Sequence, residues 1–348
     1  MDKTNSWTLF ARHCAGCLLP ISFLLTIYFD SGIFTVVPAL LFFVGVPLLD
    51  PLVGKDHNNL EPQQLPQRQE RLLMFGPVLY ILLYVASIVA GAWYVSVKQD
   101  IFVLVGCIFT MGTVASVGFS ASHELIHKKD WWNKLWARVG LLSVAFMHFE
   151  IEHLCSHHRY ACTEEDTSTG WYGESVYAFL WRSIPKGILF SWNFEKDRLA
   201  RAGLPALHPR NRVLWYAVLP LCVCICFYIA FGWAGLLLYA AQAIVGSLVL
   251  MIVAYIEHYG VLRKSTTNGK VERMDVQHSW DSYYILSGCL TFNVQRHADH
   301  HMKATKTYPL LRSHETSIEL PAGYQAMIAL ALVPPWWRKV MHPRLPSA

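Results

Sequence analysis

The chain has 348 residues, of which 54% are hydrophobic and only 15% are charged, and its formal net charge is +5. Such a low charge content excludes an ordinary soluble domain and indicates an integral membrane protein. The basic residues are not gathered into one patch, so the positive charge gives no support for nucleic-acid binding. The nine cysteines form no regular framework, which favours reduced thiols over a disulfide scaffold.

Six apolar segments predict six transmembrane helices across a hydrocarbon layer of about 30 Å. Short turns at Asp30, at Lys98 to Asp100 and at Gly232 join them into three hairpins, and a polar loop from Asp50 to Arg71 separates the first two hairpins. The segments cover residues 8–28, 33–49, 72–97, 101–120, 213–231 and 234–256.

The remaining sequence, residues 121–212 and 257–348, predicts a helical cap that completes a single all-α domain over residues 1–348. The apolar stretch 135–149 has the length of a buried helix rather than of a span. The stretch 171–201 carries Trp and Lys residues, which favours a helix lying at the membrane interface.

Nine histidines occur in four groups near the ends of predicted helices. The first pair is spaced i, i+4, which on a helix places both imidazoles on one face, and two later groups place a histidine one turn before an adjacent pair. A single such pair is more often an ordinary helix feature, but three groups exceed the needs of one ion and predict two metal ions. The nine are His123, His127, His153, His157, His158, His258, His297, His300 and His301.

The distribution of basic residues predicts the orientation in the membrane. Of the 29 Lys and Arg residues, only Lys98 falls on the side opposite the termini, so the positive-inside rule places the termini in the cytoplasm. All four histidine groups then lie on the cytoplasmic face.

The set of nitrogen ligands restricts which metal ion is expected. Magnesium and calcium prefer oxygen ligands, a structural zinc site closes with four ligands, and hydrolytic zinc usually includes carboxylates. Iron is favoured because it activates dioxygen, so the predicted reaction is oxidation of an unactivated C–H bond in a lipid-soluble substrate.

Several sequence stretches resemble the signature motifs of the membrane alkane 1-monooxygenases, a family of histidine-box hydroxylases. They are His-Glu-Leu-Ile-His-Lys at 123–128, the run from Glu152 to Asp166, Tyr-Ile-Glu-His-Tyr-Gly at 255–260 and Gln-Arg-His-Ala-Asp-His-His at 295–301. The similarity extends to residues 50–59, 278–282 and 320–338, so it covers almost the whole chain. Ser156, Glu164 and Thr167 depart from the family pattern beside the histidines.

The resemblance implies an enzyme with two iron ions that inserts one atom of dioxygen into a terminal methyl group of a linear alkane and reduces the other atom to water. It implies electrons from rubredoxin and its NADH-dependent reductase, and a bacterial inner membrane. The paired C-x-x-C motifs of a fused rubredoxin are absent from this sequence, so the donor is expected to be a separate chain.

Acidic residues beside the histidines are candidates to accept the second N–H of a metal-bound imidazole. Glu257 is favoured because an ionisable group at the mouth of a span is costly unless it is used. For each, a solvated charge at a helix end is an equal alternative. The candidates are Glu124, Glu152, Glu165, Asp166, Glu257 and Asp299.

Helix positions predict a substrate tunnel as well. Ser116 and Phe119 lie on the His123 face of the fourth span, and Met251 and Ala254 lie on the His258 face of the sixth. These four could line an apolar tunnel, although helix packing explains them equally well.

Cations near the histidines could steer an acidic redox partner, although the positive-inside bias already explains most of them. They are Lys128, Lys129, Lys134, Arg296, Lys303 and Lys306. Isolated histidines are left out of the predicted site, although His278 lies in a family-like stretch. They are His13, His57, His208, His278, His314 and His342.

The sequence leaves alternatives open. A xylene-type methyl hydroxylase or a fatty-acyl desaturase would use the same metal site, and tunnel depth and products distinguish them. A metal transporter would place its histidines in mid-span facing a pore, which the predicted helix-end positions do not favour.

Overall fold

The computed structural model describes residues 6–61, 63, 65–264 and 271–346. The described part is mostly helical and contains a single pair of very short strands. In chain order the helices are α1 (Ser6–His13), α2 (Leu18–Tyr28), α3 (Val37–Leu40), α4 (Val46–Val53), α5 (Gln67–Lys98), α6 (Ile101–Ile126), α7 (Trp131–Ser143), α8 (Phe149–Glu152), α9 (His158–Tyr160), α10 (Val176–Ala200), α11 (Arg212–His258), α12 (Ile285–Leu290), α13 (His297–Met302), α14 (Tyr324–Ala331) and α15 (Pro334–Met341). Strands β1 (Trp280–Asp281) and β2 (Ile318–Glu319) pair in parallel.

Four helical runs among the described residues are long and apolar enough to cross a membrane: Gly32–Val53, Gln67–Lys98, Ile101–Ile126 and Arg212–His258. The run Ala15–Tyr28 is apolar but shorter. The chain is therefore a helical membrane protein, as its composition predicts.

Helix α11 is in fact two helices that meet at Gly232. This glycine has φ +65° and ψ −161°, a backbone conformation outside the helical region. The rings of Phe227 and Tyr239, twelve positions apart in sequence, lie 5.1 Å apart, whereas a straight helix would separate them by about 18 Å. The chain thus reverses at Gly232, where the sequence predicts the turn of the last hairpin.

Polar side chains fix where the long helices begin. Asp100 accepts hydrogen bonds from the backbone N–H groups at the start of α6, and Asp130 does the same for α7. Ser175 and Asn211 cap α10 and α11 in the same way. Such caps satisfy N–H groups that have no partner within the helix.

Helix α6 is the centre of the bundle and packs directly on α5, α7 and α11. Small residues permit a close approach to the second half of α11: a Cβ atom on Gly246 would lie 2.4 Å from the Cβ of Ala115, and one on Gly112 would lie 2.3 Å from Val245 Cγ1. Close packing of this kind is typical of membrane helices. It holds the cap-side ends of α6 and α11, which carry His123 and His258, side by side.

The cap differs from the sequence prediction in its detail. The fourth span continues as helix to Ile126, and the predicted helix at 135–149 instead ends at Ser143 and is followed by the separate turn α8. The residues predicted to form the cap also include irregular segments and the β1–β2 pair, so this part of the chain is not wholly helical. Residues 265–270 and 347–348 of the predicted cap lie outside the described residues.

Candidate metal centre

The nine predicted histidines converge on two adjacent groups at the cap end of the bundle. Within each group, the ligand nitrogens all lie within 4.8 Å of one another. The first group holds His123, His127, His153, His158 and His300, and the second holds His157, His258, His297 and His301.

In the first group, three ring nitrogens lie close to the Nε2 atom of His153. His153 Nε2 lies 2.8 Å from His123 Nε2, 3.1 Å from His127 Nε2 and 2.9 Å from His158 Nε2. One imidazole nitrogen carries either one hydrogen or one lone pair, so these three contacts cannot all be hydrogen bonds. Several nitrogens aimed at one point are the arrangement that binds a cation.

The second group repeats the arrangement with four rings. His301 Nε2 lies 3.2 Å from His258 Nε2 and 2.9 Å from His297 Nε2, and the ring of His157 lies 4.8 Å from that of His301. The two groups touch, because the rings of His158 and His301 are 4.6 Å apart. Nitrogen-only donor sets of this size fit two transition-metal ions.

Each adjacent histidine pair is divided between the two groups. Neighbouring residues on a helix point about 100° apart, so His157 faces one group while His158 faces the other. His300 and His301 divide in the same way. The two dipeptides therefore bridge the two groups.

A π-helical turn over His153–His157 brings His153 and His158 together. The wider turn stacks residues five apart rather than four apart, and π turns often occur at functional sites. The i, i+4 spacing of His153 and His157 predicted a shared face. The structure instead assigns these two residues to different groups.

Two of the six acidic candidates contact histidines of the groups. Asp166 accepts a hydrogen bond from His157 Nδ1 at 3.1 Å and another from Thr169 Oγ1 at 2.7 Å. Glu257 Oε1 lies 3.3 Å from His297 Nδ1 and accepts a hydrogen bond from the Tyr324 hydroxyl at 3.0 Å. The hydrogen bond from His157 to Asp166 fixes the tautomer of that ring, because the proton on Nδ1 leaves the Nε2 lone pair free for an ion.

The Asp166 carboxyl is fully buried, and burial alone would raise its pKa. The hydrogen bonds that His157 and Thr169 donate outweigh this effect and hold the pKa of the carboxyl below its usual range. Asp166 is therefore an ionised partner for His157.

The other acidic candidates have different partners. Glu124 pairs with Lys128 at 2.7 Å and Asp299 pairs with Lys306 at 2.7 Å. Glu152 accepts hydrogen bonds from Thr167 and Ser168. Glu165 is exposed on the surface.

A third histidine of the groups, His258, contacts a backbone carbonyl oxygen. His258 Nδ1 lies 3.0 Å from the carbonyl oxygen of His278, and the thiol of Cys162 lies 2.9 Å from the same oxygen. His278 contributes its backbone here, while its ring contacts Glu272 at 3.0 Å. Sequence spacing gave no signal for these contacts.

Five of the six histidines that the sequence left out lie outside both groups. His57, His278, His314 and His342 contact Ser313, Glu272, Asp299 and Tyr259, respectively. His208 accepts a hydrogen bond from the backbone of Arg210, and the side chain of His13 lies outside the described residues.

The cations near the histidines differ in their exposure to solvent and in their ion pairs. Arg296 is 7% exposed and donates to backbone oxygens of Asp56 and Leu311. Lys129 and Lys303 are exposed. The ion pairs described above already engage Lys128 and Lys306.

A narrow cavity of ≈ 20 Å³ lies between α6, the second half of α11, the segment after α12, and α14. Three of these walls belong to segments that also carry histidines of the two groups. Helix α6 carries His123, α11 ends at His258, and Val294 comes three residues before His297. The lining residues Ser120, Val253 and Val294 therefore precede histidines of the two groups by only three to five positions. Its lining is Phe42, Ser116, Val117, Ser120, Val249, Leu250, Val253, Thr291, Val294, Tyr324, Gln325 and Ile328.

The four predicted tunnel residues lie in different places. Ser116 lines the cavity. Phe119 packs on Phe149, with ring centroids 4.6 Å apart, and Phe149 stacks on His153 at 4.6 Å. Met251 and Ala254 lie in an apolar cluster around the end of α11, whereas Val249, Leu250 and Val253 face the cavity.

This arrangement, a helical membrane bundle that carries two adjacent histidine groups, defines a class of membrane metalloenzyme. A sequence model of the fatty acid desaturase family matches residues 100–330, which contain every one of the nine histidines.

Sequence similarity to individual proteins identifies the family within this class. Alkane 1-monooxygenase 2 of Pseudomonas aeruginosa is 37% identical over 86% of this chain and 81% of its own length. The alkane 1-monooxygenase of Ectopseudomonas oleovorans is 33% identical over 90% of this chain and 79% of its own length. The xylene/toluene monooxygenase hydroxylase component of Pseudomonas putida is 24% identical over 87% and 80%. The chain belongs to the alkane 1-monooxygenase family.

Proposed function

We propose that this protein is an alkane 1-monooxygenase that converts linear alkanes into primary alcohols in a dioxygen-dependent reaction. The observation that carries the proposal is the convergence of nine imidazoles on two adjacent groups, in a chain 37% identical to an alkane 1-monooxygenase. When bound, iron would supply the activation of dioxygen that C–H oxidation requires.

The two groups would hold one iron ion each. The first offers five nitrogens and the second four, and neutral imidazole is a suitable ligand for iron. Asp166 and Glu257 would orient the rings of His157 and His297 through the contacts described above. Glu124, Glu152, Glu165 and Asp299 would act on the histidines only indirectly, if at all, because their partners lie elsewhere.

The apolar cavity beside the centre would admit the alkyl chain. Its walls are mostly Val, Leu, Ile and Phe side chains, and an alkane offers no group for hydrogen bonding. A volume of ≈ 20 Å³ accommodates about one water molecule, so the side chains must move apart to admit a chain. Ser116 would form part of this wall, and Phe119 would position the His153 ring through Phe149, which lies between them.

We further propose six membrane crossings, with the termini and the metal centre in the cytoplasm of a bacterial cell and the cap over residues 121–212 and 257–348. The reversal at Gly232 and the single far-side cation Lys98 support this arrangement. Electrons would come from rubredoxin and its reductase, and exposed cations such as Lys129 and Lys303 would favour an acidic donor.

The test is to produce the chain in bacterial membranes with a rubredoxin system and to supply alkanes of graded length. Gas chromatography is expected to detect primary alcohols. The family model also covers desaturases, so the appearance of a new double bond in membrane acyl chains without any alcohol would replace this proposal with desaturation.

A matched pair of variants tests the ligand set. His258→Ala should abolish alcohol formation and lower the iron content, because it removes one of four nitrogens from the second group. His208→Ala, which removes a histidine outside both groups, should change neither. Full activity and iron in the His258 variant would remove that residue from the ligand set.

A further inference from the structure

The sequence contains one Cys-x-x-Cys motif, formed by Cys14 and Cys17, and neither residue belongs to the histidine groups. Both cysteines carry free thiols. Cys17 is 5% exposed, whereas Cys14 is half-buried. Two cysteines at this spacing either pack as ordinary apolar residues or act together as a redox pair, and their mutual geometry distinguishes these roles.

The backbone brings the two thiols together. The motif closes in a 3-10 turn over Ala15–Cys17, in which the backbone N–H of Cys17 donates to the carbonyl oxygen of Cys14 at 2.9 Å. The Cα atoms at the two ends of such a turn lie less than about 7 Å apart, which matches the range of about 4.4–6.8 Å found in disulfides. The side chains of Cys14 and Cys17 also make a hydrogen bond to each other. The two sulfur atoms therefore already face each other.

The turn is held in place by close packing on α12. A Cβ atom on Gly16 would lie 2.7 Å from the carbonyl oxygen of Leu290, the last residue of that helix. Just before the turn, Arg12 pairs with Asp56 at 2.6 Å and donates to Cys289 Sγ at 3.3 Å. The two thiols are therefore fixed side by side before any oxidation takes place.

The surroundings of the two thiols assign different roles to them. Cys14 follows the ion-paired Arg12, whose side chain is 36% exposed, so a small oxidant in water has access to the half-buried thiol. Cys17 belongs to the large apolar cluster of the bundle and directly precedes α2. Helix N-termini and Cys-x-x-Cys pairs favour the thiolate, which is the form that oxidants attack. Cys14 is thus placed to be oxidised first, and Cys17 is placed to attack it afterwards.

From this geometry we infer that Cys14 and Cys17 are a reversible redox site that hydrogen peroxide oxidises to an intramolecular disulfide. The Cys14 sulfur attacks one peroxide oxygen, the O–O bond breaks, an S–O bond forms, and the first water molecule leaves. The Cys17 sulfur then attacks the sulfenic acid on Cys14, the S–O bond breaks, the S–S bond forms, and the second water molecule leaves.

The balance of this reaction needs no further reactant. The two thiols lose two electrons and two protons, and one hydrogen peroxide gains them to give two water molecules. A dithiol reductant reverses the change by thiol–disulfide exchange and is itself oxidised to a cyclic disulfide. Reversible disulfides of this kind are typical of redox-sensing sites in reducing compartments.

The experiment treats the purified full chain in detergent with a slight molar excess of hydrogen peroxide. The remaining free thiols are then blocked with N-ethylmaleimide, and the peptides are analysed by mass spectrometry. The wild type should yield a peptide in which Cys14 and Cys17 carry no blocking group and the mass is lower by two hydrogen atoms. Dithiothreitol should restore both thiols.

Three variants separate the roles of the two cysteines. Cys17→Ser should lose the disulfide and retain the sulfenic acid on Cys14, which dimedone labels. Cys14→Ser should lose the disulfide and show no dimedone label on Cys17, because Cys17 is buried. Cys289→Ser is the matched control, since it removes a neighbouring buried thiol and should still form the disulfide between Cys14 and Cys17. A melting temperature close to that of the wild type shows that each variant folds, and alanine replaces serine where it does not.

The outcomes decide the inference independently of the proposed function, because thiol oxidation is measured without alkane turnover. The absence of the disulfide from the peroxide-treated wild type would overturn the redox site. Pairing of either cysteine with Cys289, or dimedone labelling of Cys17 in Cys14→Ser, would overturn the assigned roles in the same way.

Discussion

Asp166→Asn provides a sharp test of how the protein prepares the second histidine group. The carboxylate accepts from His157 Nδ1 at 3.1 Å and from Thr169 Oγ1 at 2.7 Å. Both donors reach the same carboxylate oxygen, and an amide oxygen in its place would accept from them without the negative charge, so both hydrogen bonds would weaken. The His157 proton would then be held less firmly on Nδ1, and the Nε2 lone pair would be available for a smaller fraction of the time.

Loss of such an outer contact typically weakens metal binding 10- to 100-fold, which corresponds to about 1.4–2.7 kcal/mol. The assay is iron retention by the purified protein in detergent during titration with a chelator. His157 belongs to the second group, which would hold one of the two proposed irons, so we expect about half of the iron to dissociate at lower chelator concentration.

Glu165→Gln is the control, since it makes the same chemical change one residue away on an exposed side chain. Its chelator curve should overlay that of the wild type. If the Asp166 variant retained both irons as tightly as the wild type, the assigned role of this carboxylate would be wrong.

Three further predictions concern stability. Gly246→Ala should lower the melting temperature, because its Cβ would lie 2.4 Å from Ala115 Cβ and such overpacking costs about 1–3 kcal/mol of stability. An unchanged melting temperature would contradict the close contact of α6 and α11. Glu195 is buried between Arg198 and Arg212, and although burial alone would raise its pKa, hydrogen bonds from these two arginines lower it to about 2. The stabilising effect of the Glu195 carboxylate should therefore be complete above about pH 4.5 and lost as the pH falls toward 2. In thermal unfolding, Glu195→Gln should be less stable than the wild type at pH 6, and the gap should shrink below pH 4.5. A difference in melting temperature that stays constant with pH would refute this. Removal of the metal with a chelator should also lower the melting temperature, because the two groups join α6, the π turn, α11 and α13.

The features that depend on local sequence were predictable. Hydrophobic runs predicted the apolar helices, and Gly232 predicted the reversal within α11, because a residue at φ +65° favours glycine. Helical spacing of His123 with His127 and of His297 with His301 predicted shared faces, and the structure places each pair in one group.

The features that depend on tertiary contacts were not predictable. No periodicity in the sequence indicates the π turn that joins His153 with His158, since the i, i+4 rule assumes α-helical geometry. Six acidic residues lie near the histidines in sequence, but only the folded chain shows that Asp166 and Glu257 are the two that contact them.

One local signal would have been informative: each adjacent histidine pair sends one ring to each group, so the His157–His158 and His300–His301 dipeptides predict two histidine groups that share the same helical turns.

The most direct test of the account is metal analysis of the purified protein combined with X-ray absorption at the iron edge. Two irons per chain, with a first shell dominated by imidazole nitrogen, are the predicted result. One metal ion per chain, zinc in place of iron, or a first shell containing sulfur would contradict the assignment of nine histidines to two iron sites.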